Sequence, residues 1–542
     1  MAVCGLVALP DEGRAGQPQK PATFQEEGPP KPGGVYRRPL ENDPGTLDPA
    51  FVSDIYSFTV IQQIFDGLIQ YDAAAGIRPG LAQSWKASRD GRVWTFTLRR
   101  GVKFHHGREV TAEDVVYSFT RLLDPRHNTV VVSLFQKIKG AQEFRQRRSA
   151  RVEGLRAVDR YTVEIVLTEP SAPFISALGV GNTKVVPREI VESLGGRFGL
   201  RPVGTGPFKF VEWVRTKRIV LQANPDYYAG RPFIDRLEYH VFPGIVYEQM
   251  LRGFERRELE ESPVPATGQE RLQKSRAYRM VNRPILGMVF IVFNTAHRPF
   301  DSPKVRQAFA HAINRRHLAE RINRGRFLPG GGILPPGTYG YDPTFLGQVY
   351  DPGRAKALLA EAGYPGGAGL PTLEFWSNRK SEEAVAEHAA IAENLAAVGV
   401  KVKFQYNSDW PSFQAAVYGN RFALFRYSWY ADTPDPHTFL YQLFHSQSPN
   451  NLSRLRDPRI DQFLVTAEGE TDYNRRVKHY KEVERQIVDR APILVMYYPS
   501  YERVFQPYVH GVQVSALGDP YIPMRYVWLD GGGPGRLQAV RP

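Results

Sequence analysis

The sequence is poor in two features that would narrow its class quickly: it has a single cysteine, Cys4, and no long apolar run. One cysteine excludes an intrachain disulfide and a cysteine-rich zinc module. A transmembrane helix needs about 20 consecutive apolar residues, and no stretch approaches that length. The apolar residues 1–9 lack a preceding basic region. They fit two alternatives: the remnant of a signal peptide with Cys4 as a lipid attachment site, or an unstructured start with an unreactive thiol.

Common enzyme signatures are missing as well. There is no G-x-S-x-G nucleophile elbow, no G-x-x-x-x-G-K-[ST] phosphate loop and no H-E-x-x-H metal motif. His105 and His106 are adjacent, so on a strand they would point to opposite faces and could not easily share a metal ion. His311 and His317 have a poor helical spacing for two ligands. We therefore predict a non-enzymatic protein without a metal or cofactor, and keep a hydrolase with an unrecognised Ser-His-Asp triad as the alternative.

Acidic charge is in the minority. The chain has 70 Lys and Arg against 56 Asp and Glu, a formal net charge of +14, which by itself would suit nucleic acid or an anionic membrane surface. The basic residues are scattered, however, and short clusters such as Arg145–Arg148 stand alone. Nucleic-acid-binding tails carry longer basic runs. This distribution favours a solvated basic surface and no nucleic-acid partner.

What the chain does have is a mixture of helix and strand patterns, with many turn residues: 48 Gly and 43 Pro. Residues 10–33 are typical of a flexible leader, and the folded part is predicted to begin near Gly34. The mixture indicates an α/β or α+β protein of several lobes. Gly204 and Gly206 are predicted turn glycines before a strand. The other predicted elements are a hairpin over 84–98, helices over 111–124, 382–398 and 472–489, helices beginning at 303, 352 and 458, and strands over 160–167, 287–295 and 401–406.

One segment is chemically unusual: residues 428–436, SWYADTPDP, follow a strand-like apolar run. Two aromatic side chains stand beside two acids and two prolines. Prolines restrict the loop, and a restricted loop can present a carboxylate in a fixed direction. The residues alone leave two interpretations open: an acid that meets a cationic group in an aromatic-lined cleft, or a capped turn with surface acids.

Several blocks of sequence carry a family resemblance. The longest, residues 79–125, begins PGLAQSW and ends YSFTRLLDP. In content and order the blocks resemble the oligopeptide- and dipeptide-binding family of ABC-importer solute-binding proteins (bacterial extracellular solute-binding proteins, family 5), over about residues 34–530. The remaining blocks are 44–51, 65–72, 202–213, 224–243, 293–315 and 484–499.

The resemblance implies an α/β, three-lobed fold like that of periplasmic binding proteins (type II, cluster C-like), with a ligand cleft between the two main lobes. Lobe III is joined to lobe I by two crossing strands. Carried onto this chain, the implied divisions are a signal remnant and leader over 1–33, lobe I over 34–55, 185–285 and 505–530, lobe II over 56–184, lobe III over 286–504, and a flexible tail over 531–542.

The resemblance also implies a site. In peptide-binding members, an aspartate in a W-x-A-D or W-x-x-D loop pairs with the α-amino group of the ligand, and Trp429-Tyr430-Ala431-Asp432 matches that pattern. Asp432 is thus implied to bind the peptide ammonium, with Trp429 and Tyr430 lining the adjacent pockets. Asp435, in the same loop, is expected to tolerate substitution by Asn.

The implied function is that of an extracytoplasmic receptor, periplasmic or attached to the membrane through Cys4. It is expected to be a monomer that captures peptides and delivers them to the transmembrane subunits of an ABC permease. The alternative on the same fold is a receptor for oligosaccharides or another small solute, because the 12% of aromatic residues would also suit stacking on sugars.

Overall fold

The computed structural model describes residues 29–126, 130–243 and 246–531. Cys4 lies outside the described residues, and so does the lipid attachment predicted there. The same holds for residues 1–28 of the predicted leader and residues 532–542 of the predicted tail. Within the described ranges, no helix combines the length and the apolar character needed to cross a membrane.

Twenty-one short strands run through the described residues. In chain order they are β1 (Val35–Leu40), β2 (Ile69–Tyr71), β3 (Ile77–Pro79), β4 (Ala82–Ala87), β5 (Val93–Leu98), β6 (Leu155–Asp159), β7 (Thr162–Val166), β8 (Phe208–Val214), β9 (Arg218–Ala223), β10 (Arg236–Val241), β11 (Glu261–Pro263), β12 (Arg279–Pro284), β13 (Gly287–Phe293), β14 (Leu328–Pro329), β15 (Leu373–Ser377), β16 (Val402–Tyr406), β17 (Leu424–Tyr430), β18 (Ile493–Tyr498), β19 (Ser500–Phe505), β20 (Val509–His510) and β21 (Trp528–Leu529).

Fifteen α-helices of the described residues alternate with these strands. They are α1 (Ile55–Ile64), α2 (Ala112–Leu122), α3 (Ala141–Arg145), α4 (Phe174–Ala177), α5 (Arg188–Leu194), α6 (Tyr247–Glu255), α7 (Gln269–Lys274), α8 (Pro303–Ala312), α9 (Arg315–His317), α10 (Pro352–Glu361), α11 (Glu382–Ala396), α12 (Trp410–Tyr418), α13 (Leu440–Phe444), α14 (Pro458–Gly469) and α15 (Tyr473–Arg490).

The sheets fall into three groups, which we call lobes I, II and III. Lobe I contains a four-stranded sheet of order β1-β10-β9-β8, a three-stranded sheet β11-β19-β12 and the pair β20-β21. Lobe II contains the four-stranded antiparallel sheet β4-β5-β7-β6. Lobe III contains the six-stranded mixed sheet β14-β18-β13-β17-β15-β16. Helices and sheets are mixed throughout, as the predicted α/β class requires.

The apolar cores refine the predicted lobe boundaries. Phe65 and Val186 belong to the core around the lobe I sheets, whereas Leu68 and Val185 belong to the core of lobe II. Strand β19 pairs with β11 and β12 of lobe I, although the predicted boundary kept residues up to 504 in lobe III. We therefore propose that lobe II extends from about residue 66 to 185 and that lobe III ends at Pro499.

Local signals explain why the predicted elements form. The hairpin over 84–98 is confirmed as β4 and β5, whose turn contains Gly91 with a φ of 69°. Thr111 and Asp114 form the capping box that begins α2. Asp351 accepts a hydrogen bond from the backbone N–H of Arg354 and so caps α10. The starts of the four other predicted helices and the predicted strands lie within a few residues of their observed bounds.

Gly204 and Gly206 serve a different purpose from the predicted one. Neither has a positive φ, so no turn conformation demands glycine there. Instead, a Cβ on Gly204 would lie 2.1 Å from the carbonyl oxygen of Ile64, and one on Gly206 would lie 2.5 Å from its carbonyl carbon. The two glycines let the chain before β8 contact the end of α1 directly.

Two adjacent segments connect lobe I to lobe III. The chain leaves lobe I between β12 and β13 and returns between β18 and β19. Ile285 in the outgoing segment donates a backbone hydrogen bond of 3.1 Å to the carbonyl of Pro499 in the returning one. The connections lie side by side, so the chain crosses between the two lobes at one place.

Candidate functional site

The ends of three lobe III strands meet at one edge of the six-stranded sheet. β15 is parallel to β17, and β13 is antiparallel to both β17 and β18, so β15, β17 and β18 run in the same direction. Their carboxyl ends lie where β13 begins, beside the link to lobe I. In open α/β sheets, ligands bind outside the carboxyl ends of the strands. A ligand is therefore expected at this edge, where the segment that follows β17 lies.

The last two residues of β17 face opposite sides of the sheet. Trp429 is partly buried and packs against a lobe III core, and its indole N–H donates to the carbonyl of Thr438 at 2.8 Å. Tyr430, the next residue, points the other way and is 53% exposed. Tyr430 is thus presented to solvent, whereas Trp429 fixes the loop that follows. That the two residues line the ligand pockets stays a prediction.

A glycine sets the position of the Tyr430 ring. Gly287 lies directly opposite Tyr430 in the β13–β17 pair. A Cβ at Gly287 would lie 2.7 Å from Cδ1 of the tyrosine, so the ring covers the space that a side chain would occupy. Cross-strand contacts of this kind fix an aromatic ring that is otherwise exposed.

Asp432 is exposed, and among the described residues its carboxylate has no hydrogen-bond or ion-pair partner. Only its backbone carbonyl is engaged, accepting from the Tyr521 hydroxyl at 3.5 Å. Desolvation by the surrounding protein raises the pKa of Asp432 to about 6. Protein therefore crowds this carboxylate, although solvent still reaches it. The predicted ligand-binding acid thus carries a negative charge that no neighbour neutralises.

Asp435, three residues further on, has the opposite environment. It is 1% exposed, and its side chain accepts a hydrogen bond from the backbone N–H of His437. Its two carboxylate oxygens each accept a 2.7 Å hydrogen bond from the guanidinium of Arg476. The expectation that Asp435→Asn is mild is therefore wrong, because removing one member of a buried ion pair leaves the other charge without a partner. Arg476 is 41 residues away in α15, so nothing in the loop itself revealed the pair.

Lobe I forms the wall that faces β17. Desolvation is the main cause of the raised pKa of Tyr430, and Glu41, at the end of β1, raises it further. Desolvation likewise raises the pKa of Tyr247 at the start of α6, with contributions from Glu41 and Tyr430. These side chains of lobes I and III are therefore close enough to interact electrostatically, as the predicted cleft between the two lobes requires.

Sequence reasoning missed one residue of this edge, Arg379. It follows the end of β15, is exposed, and among the described residues its guanidinium has no hydrogen-bond or salt-bridge partner. Arg379 lies close enough to Tyr430 to oppose the rise in the pKa of that phenol. Only the parallel pairing of β15 with β17 brings these segments together. No local pattern in the sequence could have revealed that.

Two other features of the described residues lie apart from this edge. No group of three or more His, Cys, Asp or Glu among them could hold a metal ion. A cavity of about 1070 Å³ opens between lobes II and III, but its wall contains none of the three predicted site residues. Lys137 there binds both Glu169, at 2.9 Å, and Glu468, at 2.6 Å. Lys137 in that cavity is therefore paired, unlike Asp432 and Arg379 at the edge of the lobe III sheet.

Asp432 and Arg379, an acid and a base without partners among the described residues, are suited to bind a small charged solute at the edge of the lobe III sheet. The chain belongs to the bacterial extracellular solute-binding proteins, family 5, whose middle-region profile matches residues 76–451. The predicted family is thus confirmed.

Known relatives agree with that membership. Di/tripeptide-binding protein 2 of Pseudomonas aeruginosa is 29% identical over 88% of this chain and 92% of its own. Heme-binding protein A of Haemophilus influenzae is 29% identical over 87% and 88%. The periplasmic binding protein DppA of Helicobacter pylori, associated with an ABC transporter and solved with the peptide STSA, superposes with a TM-score of 0.78 at 27% identity, covering 92% of this chain and 98% of its own. These relatives are binding proteins rather than enzymes, and the predicted fold is confirmed.

Proposed function

We propose that this protein is the extracytoplasmic receptor of an ABC importer and that its cleft between lobes I and III captures short peptides with free termini. The observation that carries the proposal is the Asp432 carboxylate, which has no partner among the described residues and lies at the carboxyl edge of the lobe III sheet. Arg379 adds an equally unpartnered cation at the same edge. A peptide with free termini has the complementary charges, an ammonium and a carboxylate.

Closure of the cleft makes the pairing of these charges important for the choice of ligand. When two lobes close over a ligand, its charges and those of the protein leave water together. A buried charge is costly unless it is paired. Asp432 and Arg379 therefore select a ligand with charges of both signs and reject one that offers neither. Such selection acts more on specificity than on the total affinity.

The other ligand classes fit the charges less well. A neutral oligosaccharide has no cation for Asp432 and no anion for Arg379. Heme has carboxylates that suit Arg379 but no ammonium for Asp432. Peptides satisfy both residues, in agreement with the names of the di/tripeptide-binding relative and of the DppA structure with its bound peptide.

The partner and the location follow from the same proposal. DppA of Helicobacter pylori is periplasmic and associated with an ABC transporter, which supports delivery of the ligand to permease transmembrane subunits outside the cytoplasm. Both walls of the cleft come from one chain, so a monomer is sufficient for capture. Attachment to the membrane through Cys4 stays a prediction.

A first experiment identifies the ligand directly. The protein is purified without refolding and denatured, and the released small molecules are analysed by mass spectrometry. We expect a mixture of short peptides. Recovery of sugars alone, or a Soret absorption band from heme in the purified protein, would contradict the proposal.

A second experiment tests the role of Asp432. Asp432→Asn keeps the shape of the side chain and removes its charge, and N-acetylation of the peptide removes the opposite charge. Each change alone should weaken binding by roughly 2–5 kcal/mol, because it leaves the other charge unpaired. Both together should cost less than the sum of the two. Isothermal titration calorimetry with one tight peptide measures all four combinations.

The matched control is Asp489→Asn. Asp489 is an exposed acid of α15 in the same lobe, so this variant has the same net charge but an unaltered cleft. It should bind the peptide like the wild type. Equal binding of acetylated and free peptides by the wild type would refute the ligand assignment and favour the oligosaccharide alternative.

A further inference from the structure

A small cavity lies directly behind Tyr521, whose hydroxyl contacts the backbone of Asp432. Its volume is about 60 Å³, enough for a few water molecules or one carboxylate group. The wall comes from lobes I and II, and Tyr71 packs edge-on against Tyr521 with 5.6 Å between the ring centroids. Its lining includes Asp66, Lys184, Tyr227, Tyr521 and Arg525.

Lys184 is the most unusual member of this wall. It is only 6% exposed, and among the described residues its ammonium forms no salt bridge or hydrogen bond. The nearest acid, Asp66, attracts it electrostatically but directs its carboxylate elsewhere, accepting from the hydroxyls of Thr205 at 2.9 Å and Tyr227 at 3.1 Å. A buried ammonium without a direct partner is costly, so its position calls for an anion.

Arg525 adds a second cation. Its Nη1 is buried and, within the described part of the chain, has no hydrogen-bond partner. The guanidinium carbon lies 5.6 Å from the centroid of the Tyr227 ring and 4.4 Å from that of Tyr526, and its Nη2 donates a hydrogen bond to the Tyr526 hydroxyl. Two cations thus face one acid, Asp66, and the cavity has an excess of one positive charge.

We propose that this cavity binds a carboxylate or another small anion through Lys184 and Arg525. One additional negative charge makes the cluster neutral and gives the Lys184 ammonium and the Nη1 of Arg525 a partner. Burial lowers the pKa of Lys184 to about 8, which agrees with an ammonium that lacks a counter-ion.

Two sources of the anion are open, and they share this chemistry. Tyr521 lines the cavity and contacts the backbone of Asp432, so the cavity adjoins the proposed peptide site. An acidic side chain of the bound peptide is therefore one source, and this version rests on the proposed function. A free anion from solution is the other and does not depend on peptide binding. In the first case the cavity determines specificity; in the second it stabilises the junction of lobes I and II.

The free-anion arm uses the full-length protein without peptide. Melting temperatures are measured with increasing sodium formate, and with formamide as the neutral analogue, at an ionic strength held constant by a bulky sulfonate. If the source is solution, formate raises the melting temperature and formamide does not. Lys184→Met should abolish the rise. Lys86→Met, which removes an exposed lysine of β4 in lobe II, should keep it.

The peptide arm compares Glu-Ala with Gln-Ala by calorimetry. If the peptide supplies the anion, the wild type should bind Glu-Ala about tenfold or more tightly than Gln-Ala, the range of a hydrogen bond to a charged group. Lys184→Met should remove this preference, and Lys184→Arg should retain part of it. Should Lys184→Met fail to fold, Arg525→Gln is tested for the same loss.

The proposal is overturned if formate and formamide act alike on the wild type and Glu-Ala binds no better than Gln-Ala. The two experiments distinguish failure of the anion-cavity proposal from failure of the proposed peptide-receptor function. Equal, tight binding of both dipeptides would leave the peptide receptor intact and refute only the anion cavity. Loss of all peptide binding would refute the receptor, while the formate arm would still decide on the cavity.

Discussion

The segment over 428–436 has two ends in contrasting surroundings. At the cleft-facing end, the carboxylate of Asp432 is exposed and has no partner among the described residues. At the core-facing end, Asp435 is 1% exposed and receives two 2.7 Å hydrogen bonds from Arg476. The two acids are three residues apart in the sequence. Their comparison shows that a carboxylate is structural where its partner is built into the fold, and available for a ligand where it is not.

The core-facing end holds the cleft-facing end in place. The ion pair of Asp435 with Arg476 connects the loop to α15, and the indole of Trp429 holds the same loop through the carbonyl of Thr438. A binding group must be held in place by neighbours whose own positions are fixed. Asp432 therefore depends on these anchors although neither of them need touch the ligand.

The largest effect is expected from the core-facing acid. Asp435→Asn leaves Arg476 as a buried cation without its counter-ion, and breaking such a pair costs about 3–5 kcal/mol. We expect a clear fall in the melting temperature of the transition that contains lobe III, measured by differential scanning calorimetry. Peptide affinity should fall as well, because the loop loses its anchor.

Two further variants test whether the unpaired charge of Arg476 causes this loss of stability. The double variant Asp435→Leu with Arg476→Met removes both charges and should regain much of the lost stability. Asp432→Asn should not destabilise the protein. The folded-state pKa of Asp432 is raised, so its ionisation costs stability as the pH rises through about 6, and a neutral Asn should slightly raise the melting temperature at pH 7. A wild-type melting temperature for Asp435→Asn would remove the distinction between the two acids.

The sequence predicted much of the fold and placed the candidate loop at the edge of the lobe III sheet. Local caps and alternations placed α2, α10 and the β4–β5 hairpin, because these signals depend on neighbours in the chain. The loop at Asp432 was found because its aromatic residues, acids and prolines are contiguous. Arg379 and Arg476 could not be found in this way. Their roles arise from the pairing of β15 with β17 and from the packing of α15, which join residues far apart in the sequence.

The next effect concerns the cation at the cleft edge. Arg379→Gln removes the proposed partner of the peptide carboxylate and should weaken binding by roughly 1.5–3 kcal/mol, the range for hydrogen bonds to charged groups. A C-terminally amidated peptide should bind the variant and the wild type alike. Calorimetry with matched free and amidated peptides measures the difference. Lys380→Gln, at the adjacent exposed lysine, is the control. An equal loss of peptide affinity in that variant would mean that Arg379 acts only through its general positive charge.

The pH dependence of peptide binding tests the charge of Asp432. Asp432 has a pKa of about 6 in the free protein, and it must be ionised to pair with an ammonium. Affinity should be constant near pH 7 and fall up to about tenfold for each pH unit below 6. It should fall again above about pH 8, where the peptide amine loses its proton. In Asp432→Asn the acidic limb should disappear. An acidic limb of unchanged steepness in that variant would assign the titration to another group.

The smallest expected effect concerns the Tyr430 ring at the cleft-facing end. The variant tests whether the fold holds this ring as firmly as it holds Asp435. Gly287→Ala is compatible with the backbone, since Gly287 has no positive φ, but its new Cβ would lie 2.7 Å from the Tyr430 ring. The ring must move, at a cost of about 1 kcal/mol for overpacking, and peptide affinity should fall roughly three- to tenfold. Gly469→Ala is the control, because a Cβ there meets open space. If Gly287→Ala leaves both affinity and melting temperature unchanged, the Tyr430 ring moves freely and only the charges of the cleft, not its aromatic wall, are fixed by the fold.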